Sequence, residues 1–159
     1  MKKIKFLDGF VLVLIVIYFI QFMANFYLVV YPPDFMNFPK GHELHFVFGY
    51  YTQFVSLAFS VISFTGLFFV KSGLGEIIRS GFFNSKSATK FKTAGKLFLV
   101  SGFLNMVFNM VLLLRSEEIL FLGETGQSSL LVIIGFSLYI ISDILENGNL
   151  LKQENDLTI

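Results

Sequence analysis

The chain has 159 residues, 55% of them hydrophobic and only 14% charged, with a mean hydropathy of +0.73. Soluble domains carry about 45–50% apolar and about 25% charged residues, so this composition points to a bilayer. A formal net charge of +1 offers no bulk field for nucleic acid, and the absence of cysteine excludes disulfides, cysteine-based metal sites and thiol catalysis.

The first element, FVLVLIVIYFIQFMANFYLVVY (10–31), contains no charge and follows Lys2, Lys3 and Lys5. A secretory signal has an apolar region of about 7–15 residues ending in a small-residue cleavage site. This run is longer and ends in FMANFYLVVYPP, so an uncleaved first span is expected. The second run, FVFGYYTQFVSLAFSVISFTGLFFV, covers 46–70. The third, at about 95–114, has Lys96 at its edge, and the fourth, at about 128–145, carries Asp143 near its end. A helix needs about 20 residues to cross a hydrocarbon core of about 30 Å, and continuous rather than alternating apolarity favours helices over strands. The reading is an all-α polytopic membrane protein: one domain over 1–159, four transmembrane helices in a bundle, and a polar tail over 146–159.

Ten of the twelve basic residues fall on one side of this layout: Lys2, Lys3, Lys5, Lys71, Arg79, Lys86, Lys90, Lys92, Lys96 and Lys152. Lys40 and Arg115 fall on the other, with Glu117, Glu118 and Glu124. The bias of lysine and arginine predicts that both termini and the middle loop are cytoplasmic. Leu74, Ile77 and Ile78 keep helical spacing, so the second helix is expected to run to about Arg79. Gly81–Asn84 then reads as a turn, with Asn84 capping a helix in which Ala88, Phe91, Gly95 and Phe98 recur at three- and four-residue steps. A basic helical hairpin projecting from spans two and three is therefore expected, with Phe82 and Phe83 near the interface. Its basic residues suit anionic lipid headgroups, at about 1 kcal/mol each near the surface.

Uncharged polar residues lie inside the spans. Gln21 and Asn25 are four apart on the first, Gln53 and Ser56 share a face of the second, and Asn105 and Asn109 are four apart on the third. All fall about 7–15 Å from the outer ends of their spans at helical rise. Such a layer reads either as interhelical hydrogen bonds that fix packing or as a small polar cavity for a ligand or ion. Asp143 can reach the interface or pair with Lys96, and needs no proton relay. His42 and His45 in GHELH are weak metal candidates: their spacing misses the four-residue step of a helical zinc motif, and no metal or cofactor is expected. There is no phosphate loop, nucleophile elbow or suggestive His-Ser-Asp set, and Gly123–Gly126 reads as a loop, so an enzyme is not expected.

The tail, GNLLKQENDLTI, ends on alternate apolar residues, Leu157 and Ile159. Three fates are open to it: docking on the basic hairpin of the same chain, docking on a partner by strand addition and capture of the free carboxylate, or a solvated end.

Two stretches resemble a bacterial membrane family, domain of unknown function 2975. Gly148, Glu154, Asp156, Leu157, Thr158 and Ile159 match its characteristic ending, and Phe83, Lys90, Phe91, Lys92 and Gly95 match its turn and basic helix. Phe82, Asn84 and Ser87 stand where that family usually has proline, threonine and asparagine. The resemblance implies a multi-pass protein of the bacterial inner membrane with four spans. It also implies an association with a small helix-turn-helix regulator, because members are often encoded beside one. On that reading Phe83, Lys90, Phe91, Lys92, Asp156, Leu157, Thr158 and Ile159 form a contact for the regulator, with no direct binding of nucleic acid by this chain.

Overall fold

A computed structural model describes residues 2–31, 50–116 and 120–157. These residues form four α-helices: α1 (Lys2–Val30), α2 (Tyr50–Ser80), α3 (Ser85–Ser116) and α4 (Leu120–Leu157). Each is long and apolar enough to cross a membrane. The charge-free stretches within them are 9–30, 50–70, 97–114 and 125–142.

The α2–α3 connection follows from two residues. Gly81 has φ +90°, a left-handed conformation that costs glycine nothing, and its N–H donates to the Ile77 carbonyl at 3.0 Å. Asn84 then closes the turn from the other side. Its Nδ2 donates to the Gly81 carbonyl, and its Oδ1 accepts the Ser87 N–H, both at 2.7 Å. The chain therefore reverses in four residues, and α2 and α3 run antiparallel.

Packing follows chain order: α1 lies against α2, α2 against α3, and α3 most extensively against α4. Among the described residues α1 makes no comparable contact with α3 or α4, so the helices do not close into the ring implied by a bundle. The α3–α4 contact explains itself in the sequence. Ala88, Gly95, Gly102 and Asn109 recur every seven residues on α3, and Ser128, Gly135 and Ser142 every seven on α4. A seven-residue repeat keeps one stripe facing a partner helix, and small residues let the backbones approach. A Cβ at Gly95 would meet the Gly135 carbonyl oxygen at 2.9 Å; one at Gly102 would meet the Val132 nitrogen at 3.0 Å. The Ser142 hydroxyl donates to the Ala88 carbonyl at 2.8 Å in the same seam.

Two expected boundaries move. Gly123–Gly126 is helical rather than a loop, and α4 continues past residue 145 through most of the expected tail to Leu157. Around Gly123 and Gly126, Thr125, Ser128 and Ser129 each donate to the carbonyl four residues earlier, so their hydroxyls are satisfied within the helix. A helix of 38 residues absorbs a glycine at about 1 kcal/mol apiece.

Candidate interaction surface at the basic end

Apolar side chains behave differently at the two levels of the molecule. Within the charge-free stretches many point outward: Leu12, Ile17, Phe103, Ile133 and Phe136 are each more than half exposed on the chain itself. In lipid this carries no penalty, because acyl tails are as apolar as leucine. Beyond the stretches, past Lys71 on α2, before Lys96 on α3 and past Asp143 on α4, lies a different pattern. Leu74, Ile77, Ala88, Phe91 and Leu145 are all at most 4% exposed and form the most tightly buried part of an apolar cluster that continues into the charge-free stretches through Val11, Ile15, Phe98 and Leu138. Water drives such burial and lipid does not. The basic end is thus packed like a small soluble core.

The rim of that core carries the charges. Arg79, Lys86, Lys96 and Lys152 are exposed, and Lys92 is half-buried. Lys90 lies with its Nζ 5.3 Å from the centroid of the Phe69 ring, a cation–π contact that aligns its stem along α2. At the edge of the charge-free band, Lys71 Nζ contacts both carboxylate oxygens of Asp8, at 2.6 and 2.7 Å, joining α1 to α2. Sequence reasoning missed Asp8; its signal was a lone acid among the N-terminal lysines, level with the first base after the second span.

The expected contact residues divide. Phe83 is half-exposed, packs edge-to-face on Phe82, and lies against Gly148 where any Cβ would collide with its ring. Phe91 is not a surface residue, which corrects its place among the partner contacts. Its ring covers Gly73, where a Cβ would meet it at 3.1 Å, and it is 4% exposed in the core. Beyond Gly148, α4 overhangs the α2–α3 turn. Leu150 and Leu151 are exposed there and Leu157 is 87% exposed, so these leucines are not docked on the hairpin. The side chain of Asp156, together with Thr158 and Ile159, lies outside the described residues, as do Lys40, His42, His45, Glu117 and Glu118. Asp143 and Lys96 are both exposed, and no hydrogen bond or ion pair joins them.

The five polar residues of the spans whose side chains are described do not converge. Asn105 Nδ2 donates to the Ser101 carbonyl at 2.9 Å, and Asn109 Nδ2 to Ser128 Oγ at 3.4 Å. Ser63 and Ser101 share a hydrogen bond of 2.6 Å, and Ser101 also reaches the Phe59 carbonyl at 3.1 Å. These bonds tie α2 to α3 and α3 to α4. Gln21, Asn25 and Ser56 lie instead on exposed faces, and the side chain of Gln53 is outside the described residues. Among the described residues no group of three or more His, Cys, Asp or Glu could hold a metal ion.

These features define the class: a protein whose described residues form four helices, each long and apolar enough to cross a membrane, with a packed basic end. No protein-family model, curated protein or solved structure matches the chain.

Proposed function

We propose that this chain belongs to the membrane family its tail resembles, with its basic end and both termini in the cytoplasm of a bacterial cell, and that it serves as a non-enzymatic membrane partner of a helix-turn-helix regulator. One observation carries the reading: outside the charge-free stretches the chain builds a packed core, then extends α4 past it with Leu150, Leu151 and Leu157 uncovered. A span that merely ended would need neither. In sequence the overhang also carries Glu154 and Asp156 among its leucines, a combination that suits a partner with an apolar groove and a basic margin. Phe82, Phe83 and Lys86 extend the same surface over the turn.

The test is a mild-detergent pull-down from the native host, comparing the full chain with one ending at Asn149. That truncation leaves the α3–α4 seam and the Phe83–Gly148 contact intact. A helix-turn-helix protein that co-purifies with the full chain and is lost on truncation supports the proposal. Recovery of no such protein with either form overturns it.

A further inference from the structure

Within the charge-free band, three hydroxyls on α2 and α4 are satisfied locally. Ser60 donates to the Ser56 carbonyl at 2.9 Å, Thr65 to Val61 at 2.8 Å and Ser137 to Ile133 at 2.8 Å, each folded back on its own helix. A carboxamide at the end of a longer side chain has two donors and an acceptor, and one back-bond cannot satisfy it. Asn105 and Asn109 are held by α3 and α4. Gln21 and Asn25 are not: both are exposed, and neither has a hydrogen-bond partner among the described residues. Gln21 lies thirteen residues past Asp8, about 20 Å into a band of about 30 Å, where an unpaired amide costs free energy.

The surroundings of Gln21 are ordered. On α1 the face toward α2 is marked by Asp8, Val11, Ile15 and Tyr18, which are buried or half-buried, with Asp8 on Lys71 and Tyr18 stacked on Phe64. About 100° around the helix runs a second stripe with the same three- and four-residue steps: Leu7, Phe10, Leu14, Ile17, Gln21, Ala24 and Leu28. Every member is exposed on this chain. Leu7, Leu14, Gln21 and Leu28 are spaced by seven, the repeat that lets two parallel helices pack along one seam. Asn25 flanks the stripe one turn beyond Gln21.

We infer that this stripe is a homodimer interface, in which α1 of one chain packs in parallel on α1 of a second copy and the two Gln21 side chains hydrogen-bond across the two-fold axis. The choice of a second copy rests on self-complementarity. Two copies inserted the same way present α1 in parallel, so Gln21 faces Gln21 at one depth, and each amide is both donor and acceptor. A single polar residue in an otherwise apolar heptad stripe sets register and pairing in just this manner. Lys3 continues the stripe outside the band, where water and headgroups screen its charge from its mate.

Single-cysteine scanning tests this directly, because the chain has no cysteine of its own. Variants Leu14→Cys, Ile17→Cys, Gln21→Cys, Ala24→Cys and Leu28→Cys are compared in membranes with Leu12→Cys, Met23→Cys and Phe26→Cys, which lie on the opposite side of α1. Oxidative cross-linking is read as dimer on non-reducing gels over a series of lipid dilutions. The inference expects cross-linking that survives dilution on the first set and little on the second. In the cysteine-free chain, Gln21→Leu should weaken dimerisation by about three- to twentyfold while Gln21→Asn keeps most of it. Uniform yields, a peak on the opposite side, no dimer at any position, or a Gln21→Leu chain that dimerises as before would each overturn it. Gln21 is exposed and has no hydrogen-bond partner among the described residues, so its replacement is expected to leave the fold intact.

Discussion

The Ser142 hydroxyl donates to the main-chain oxygen of Ala88 at 2.8 Å, and both residues are buried, at 0% and 1% exposure. This bond pins α4, at the end of its charge-free stretch, to the first turn of α3. Ser142→Ala should cost about 1 kcal/mol, the net worth of one such hydrogen bond. Ser142→Val should cost more, about 1–3 kcal/mol, because the site has no room for a further methyl. Denaturant unfolding in detergent micelles, followed by helix content, separates the two.

Glycines sort by what faces them. A Cβ at Gly135 would meet the Leu99 nitrogen at 2.9 Å and the Gly95 oxygen at 3.0 Å, both backbone atoms that cannot swing aside. Gly135→Ala should therefore push α3 and α4 apart and lower stability by about 1–3 kcal/mol. Gly123 and Gly126 have nothing within 4 Å, and alanine there should be neutral or stabilise the helix by up to about 1 kcal/mol. Thermal midpoints of the three variants in one detergent check the contrast.

Ser63 and Ser101 form the 2.6 Å bond between α2 and α3. A double-mutant cycle with Ser63→Ala and Ser101→Ala should return a coupling of about 0.6–1.7 kcal/mol, the range for hydrogen bonds between membrane helices. Ser101→Ala alone should cost more than Ser63→Ala. Ser101 also serves the Phe59 carbonyl and accepts weakly from Asn105 at 3.4 Å.

The Lys71 and Asp8 side chains are 28% and 20% exposed in their ion pair. Asp8→Lys should destabilise the α1–α2 contact by setting two bases together, and the exchange Asp8→Lys with Lys71→Asp should recover most of the loss. The pair itself should contribute about 1 kcal/mol or less, and less again at high salt. Thermal midpoints at low and high ionic strength give both answers.

Much of this architecture was legible because charge is so sparse. Four uncharged runs mark four helices, and Gly81 and Asn84 mark the turn by the conformations they favour. What stayed hidden was azimuth. A helix that is apolar all round conceals which face it packs, so Phe91 looked as available as Phe83, and Gln21, Asn25, Asn105 and Asn109 looked like one layer because they share a depth. The small-residue repeat of Ala88, Gly95 and Gly102 against Ser128, Gly135 and Ser142 held the missing information. The tail misled for another reason: its polar composition ends a membrane span, but Gly148 and Asn149 do not end the helix.

The order of packing also carries a meaning in time. Each helix after the first packs on the one made just before it. As the chain emerges during synthesis, α2 finds α1 already present, α3 finds α2, and no helix must wait for a distant segment. Local contacts of this kind assemble quickly. The exception is the seam face of α3, since Gly95, Gly102 and the Asn109 amide stay bare until α4 arrives. A chain stalled after α3 would hold its most adhesive surface open to the membrane, and in that interval the growing protein is most vulnerable to a wrong neighbour.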